Sequence, residues 1–144
     1  MLGQLERKLS KAEFAFVEHK LFNYPTNKQL LAEYEDMRED IISGTKHKEK
    51  GMPQNQGVGK PVESTVAQLL MLEERVKGEA FWVRAIEDTL DCLEKEDQKL
   101  VQLKYFDGYL TNVGVAMRLG LDEREFYRRR ERIVFRFAKR FGII

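Results

Sequence analysis

Ala116, Gly120 and Phe126 restrict the path of this chain more than any other three residues. They lie in NVGVAMRLGLDEREFYRR, residues 112–129. Ala116 is small where two helices would cross. Gly120 follows where the chain must turn, and glycine accepts positive φ there without strain. Val115 and Leu119 flank Ala116 on its inward side, and Leu121 fills the turn. Phe126 takes the inward position of a second helix, for which Asp122 is a good N-cap. Together these residues meet the requirements of a helix-turn-helix. One inward slot departs from the pattern: position 129, where an aliphatic side chain is usual, holds arginine.

The second helix, running to Gly142, must face two environments. Arg128, Arg129, Arg130 and Arg132 crowd into it beside Phe126, Ile133, Val134, Phe135 and Phe137. At about 100° per residue, Phe126, Ile133 and Phe137 fall within roughly 40° of one another, with Val134 and Phe141 at the edge. That stripe is the expected core face. Arg124, Glu125, Arg128, Arg132 and Lys139 lie roughly opposite. Near the start of such a helix, side chains reach base edges in a major groove, and arginine grips guanine bidentately. Arg124, Glu125, Arg128 and Arg132 are therefore the groove-facing candidates. Arg129, Arg136 and Arg140 flank them and suit phosphates. With Lys139, and with Thr111 and Asn112 at the start of the preceding helix, these residues make the candidate DNA-binding set. Arg130 points toward the core face and is expected to snorkel or to pair with an acid. Phe135 points outward and is expected to meet another segment or subunit.

Helical periodicity extends through the rest of the chain. Leu5, Leu9, Phe14, Val17 and Leu21 mark a first helix. Pro25 is read as a break, with Thr26 or Asn27 capping a second helix whose apolar face holds Leu30, Leu31, Tyr34, Met37 and Ile41. Gly44 is read as its stop. Residues 43–63 contain four glycines, two prolines and four lysines, the composition of a mobile loop. From Ser64 a long pattern carries Leu69, Leu72, Val76, Trp82, Ile86, Leu90 and Leu93, with Gly78 a weak point. Asp97 is read as the cap of a short helix ending at Asp107-Gly108-Tyr109. No segment alternates as a strand would. The expectation is an all-α chain: an N-terminal helical hairpin over 1–42, a loop over 43–63, a long connecting helix over 64–96, and a helix-turn-helix domain over 97–144.

Charge divides along the same line. The formal net charge is only +1, but residues 1–96 hold 14 Lys/Arg against 18 Asp/Glu, and residues 97–144 hold 11 against 6. Such asymmetry fits a polyanion partner for one end. One cysteine, Cys92, rules out an internal disulfide. No apolar run could span a bilayer, and the opening MLGQLERKLSKAEF lacks a secretory pattern. A cytoplasmic setting without membrane contact is expected.

From Phe81 onward, WVRAIEDTL, KLVQLKYF and LGLDEREFYRRRERIVFRFAKRFG resemble the ArpU-like phage transcriptional regulators, which are related to RinA-type activators of phage late genes. More distantly, this half resembles the DNA-binding fourth region of bacterial sigma factors. The resemblance implies a phage- or prophage-encoded activator, a sigma-like helix-turn-helix, and RNA polymerase as a possible second partner. A DNA-packaging recognition subunit of the small-terminase kind, or a pure protein-interaction module, are the other readings. A single helix-turn-helix reads few base pairs, so a homo-oligomer is expected, with the acidic half as its surface.

Chemistry of other kinds finds no foothold. His19, His47 and Cys92 are far apart and show no metal-ligand spacing. GVGKP lacks the Ser or Thr of a phosphate loop and follows no strand. The carboxylate-rich stretches mix helix faces. Cys92, Phe81, Trp82 and Tyr105 are read as structural. Neither an enzyme nor a cofactor is expected.

Overall fold

Ser10 begins the regular structure. Its Oγ accepts from the Glu13 backbone N–H at 3.1 Å, and the Glu13 carboxylate accepts from the Ser10 N–H at 2.9 Å. This capping box satisfies two backbone donors that the first turn leaves open. The computed structural model describes residues 8–49 and 59–144. Six α-helices follow in order: α1 Lys11–Phe22, α2 Tyr24–Glu49, α3 Gly59–Cys92, α4 Lys95–Val101, α5 Asn112–Leu119 and α6 Glu123–Phe141. A π-helical stretch, Gln102–Asp107, prolongs α4. No strand occurs among the described residues, so the chain is all-α as the periodicity predicts. Leu5 and residues 50–58 of the expected loop lie outside the described residues.

Several boundaries differ from expectation, each for a local reason. The break read at Pro25 falls at Asn23, and neither Thr26 nor Asn27 is a cap: α2 starts at Tyr24, which puts the proline ring in the first turn, where a missing N–H costs nothing. Gly44 does not stop α2, which continues to Glu49, and α3 starts ahead of Ser64, at Gly59. The expected loop over 43–63 is thus helical at both ends. Asp97 is not a cap. Glu94 holds that position without a side-chain bond, and Asp97 is buried in the first turn of α4. The Gln98 amide instead closes the end of α3, donating to the carbonyls of Leu90 at 2.7 Å and Leu93 at 3.2 Å.

The chain divides into two compact units, Met1–Pro25 with Trp82–Ile144, and Thr26–Phe81. α1 belongs to the first unit and α2 from Thr26 onward to the second, whereas the expectation grouped both within 1–42. Val17 and Leu21 of α1 are fully buried in the first unit. There the Tyr105 hydroxyl donates to Glu18 at 2.6 Å, and the Phe22 and Tyr105 rings meet edge-on at 4.9 Å. Burial, and next the bond to Glu18, raise the Tyr105 pKa far above its ordinary value, so the phenol stays a donor. Leu100, Val101, Val115, Phe126, Ile133, Val134 and Phe137 complete this core, each at most 1% exposed. Trp82 packs edge-on against Phe141 at 5.1 Å. Two residues read as structural are at the surface: Phe81 is 52% exposed, and Cys92 is exposed.

The second unit is a pair of helices, α2 from Thr26 onward and α3 as far as Phe81. Gly78 sits inside α3 with open space where a Cβ would stand. Glycine loses more backbone entropy than alanine on entering a helix. Gly78→Ala should therefore raise stability by about 0.5–1 kcal/mol in a urea titration. An unchanged or lower midpoint would show that the site needs glycine.

Candidate nucleic-acid interface

The turn between α5 and α6 is built from local bonds. Thr111 Oγ1 accepts from the Gly114 N–H at 3.1 Å and so caps α5. Gly120 adopts φ 71°, and Leu121 N–H reaches back to the Ala116 carbonyl at 2.9 Å while Gly120 N–H reaches Met117 at 3.1 Å. This is a Schellman closure, and it needs a residue content with left-handed φ. Asp122 Oδ1 then accepts from the Glu125 N–H at 2.8 Å, starting α6. Val115 and Ala116 are buried on one side of the turn and Phe126 on the other. Every one of these roles follows from the residue type at its position.

α6 presents the two faces that the wheel predicts. Phe126, Ile133, Val134, Phe137, Ala138 and Phe141 are buried. Arg124, Arg128, Arg132, Arg136, Lys139 and Arg140 are exposed. The cations differ in how they are held. Arg124, Arg132 and Lys139 meet no carboxylate among the described residues. Arg128 touches Glu125 only at 3.4 Å, with its side chain 70% exposed. Arg136 donates to the Cys92 carbonyl at 3.4 Å, and Arg140 pairs with Asp88.

Arg129 stands apart from the other candidates. Its side chain is 23% exposed, and its guanidinium bridges Glu96 at 2.8 Å and Glu125 at 3.4 Å. The bond to Glu96 is the main reason its pKa is raised. Position 129, the slot where an aliphatic side chain is usual, is thus filled by the arginine stem, with the charge led out to an acid at the start of α4. Arg130 snorkels rather than pairing with an acid. Its guanidinium lies 5.0 Å from both the Phe14 and Tyr127 ring centres, and its Nε is buried without an acceptor. Those two rings offer the cation a negative face each, and they fix α1 to α6.

Asn112 is also engaged. Its side-chain oxygen accepts from Lys104 Nζ at 2.6 Å. Burial chiefly lowers the Lys104 pKa; Glu18 opposes this and Arg130 adds to it. Phe135 is half-buried and lines an open groove together with Asp88, Thr89 and Cys92 of α3.

Three exposed side chains of α5 were not singled out in the sequence. Arg118 lies in the last turn of α5 as a further exposed cation. Val113 and Met117, one turn apart on α5, are 55% and 76% exposed. The i, i+4 spacing of that apolar pair was the available signal. Among the described residues no three His, Cys, Asp or Glu side chains gather as metal ligands, and no helix is long and apolar enough to cross a membrane. No family model, curated protein or solved structure matches the chain.

Proposed function

We propose that this protein is a sequence-specific, double-stranded-DNA-binding transcription regulator. The observation that carries the reading is the division of α6. One face closes the core behind a glycine turn, while the other exposes Arg124, Arg128 and Arg132 from its first turns. Cations there reach base edges if the helix enters a major groove. Arg136 and Lys139, further along, suit phosphates. The likeness to ArpU-like regulators supports a phage- or prophage-encoded activator of late genes, acting in the cytoplasm of its bacterial host.

A second reading draws on the exposed Val113 and Met117. An apolar pair on the helix before the basic one favours a protein contact next to DNA, as in a sigma-like factor that works through RNA polymerase. Selection of bound genomic fragments by the purified chain, followed by a salt series, separates the two. With five cations on phosphates or bases, log K should fall against log salt with a slope of roughly −4 to −5. One enriched site that survives high salt fits the regulator. Binding without site preference, rescued by polymerase, fits the sigma-like reading. Binding that ignores salt would remove both.

A further inference from the structure

The hairpin unit, Thr26–Phe81, buries little of its own apolar surface. Leu72 is its one buried side chain among the described residues. Met37 and Met71 remain 49% and 60% exposed. Two helices joined by so thin a seam gain little from burial to offset the entropy of ordering them. A further apolar surface laid against them would supply that gain.

One face of the hairpin is shaped to receive it. Met37 and Ile41 of α2 and Met71 and Leu72 of α3 line an open groove of about 450 Å³, together with Asp40, Gln68 and Arg75. Two contacts give the register of the helices. Arg38 donates to Glu73 at 3.2 Å, and the Arg75 guanidinium lies 5.8 Å from the Tyr34 ring centre. The helices are therefore antiparallel, with Asp40 level with Leu70 and Arg75 level with Glu35. At a rise of 1.5 Å per residue, Asp40 and Arg75 stand about 7–8 Å apart along the hairpin, and Met37 and Leu72 lie midway. Neither charge has an ion partner among the described residues. The groove thus has an acidic end, a basic end and an apolar middle.

We propose that a second copy of this chain fills the groove, its hairpin antiparallel to the first about a two-fold axis passing near Met37 and Leu72. In such an isologous contact each residue meets the same neighbour on both sides. The antiparallel arrangement brings Asp40 of each copy to the level of Arg75 of the other, while the methionines meet at the axis. A parallel arrangement would set Asp40 level with Asp40 and Arg75 level with Arg75, which like-charge repulsion disfavours. The result is a four-helix bundle, whose centre closes over the side chains that one hairpin leaves wet.

Sedimentation velocity of the full chain at tens of micromolar, without DNA, tests this. The native chain should run with the mass of two copies. Asp40→Arg and Arg75→Asp should each raise the dimer dissociation constant about tenfold or more, and the two together should restore it. Met71→Glu should dissociate the dimer, with or without the swap. Circular dichroism checks that each variant keeps its helices; if Arg75→Asp loses them through its contact with Tyr34, Asp40→Arg and Met71→Glu decide. A monomeric native chain, an assembly larger than two, a dimer indifferent to these single variants, or a double swap that folds but stays dissociated would overturn the proposal. None of these outcomes bears on DNA binding by α6.

Discussion

Phe126→Ala is expected to cost the helix-turn-helix unit about 3–5 kcal/mol of stability. Phe126 is 0% exposed, at the point where α6 leaves the turn. On one side the Gly120 closure and on the other the Asp122 cap hold the turn fixed. The variant therefore loses both the transfer energy of the ring and the packing around the cavity it leaves. A domain of this size has only about 5–15 kcal/mol in all. Urea unfolding followed by circular dichroism should show the midpoint falling by a large fraction. Met117→Ala is the control: a side chain of similar reach in the same motif, 76% exposed, whose loss should change stability by no more than about 0.5 kcal/mol. A Phe126→Ala loss below about 1 kcal/mol would mean that the turn is not packed as described.

The contrast between these two residues shows what could be read from the sequence. Thr111, Gly120, Asp122 and Gly142 act on backbone groups within a few residues of themselves, so their roles were legible. The buried stripe of α6 was legible too, because helical periodicity fixes which residues share a face. What the sequence did not disclose depends on segments far apart in the chain. Glu18 under Tyr105, Phe14 over Arg130 and Glu96 beside Arg129 each join positions separated by more than thirty residues. No periodicity records such a pairing. The grouping of α1 with the helix-turn-helix rests on two of these contacts, which is why pairing it with α2 looked reasonable. The start of α2 and the stop at Gly44 were misplaced for another reason. Proline and glycine are each helix breakers on average, but a proline in a first turn has no donor to lose, and one glycine costs a long helix only about 1 kcal/mol.

On the proposal that α6 reads DNA, long-range pairing also decides which arginines are available to it, and the largest expected change in binding follows. Arg128→Ala should weaken binding to the selected site by about 1–3 kcal/mol and relax discrimination at one or two positions. Its side chain is 70% exposed, and its 3.4 Å contact with Glu125 is too long and too wet to keep it from a base edge. Arg129→Ala should behave differently. That side chain is mostly covered and committed to Glu96, so its removal loosens the junction of α4 with α6 without deleting a contact to bases. Its cost should appear in unfolding, with little change in the ratio of affinities for the selected and a scrambled duplex. Both variants should be titrated against both duplexes at two salt concentrations. If Arg128→Ala weakens both duplexes equally, Arg128 grips phosphate and the specificity lies with Arg124 or Arg132. If Arg129→Ala relaxes discrimination as much as Arg128→Ala does, the ion pair with Glu96 opens on DNA, and the division of α6 into reading and buttressing arginines is wrong.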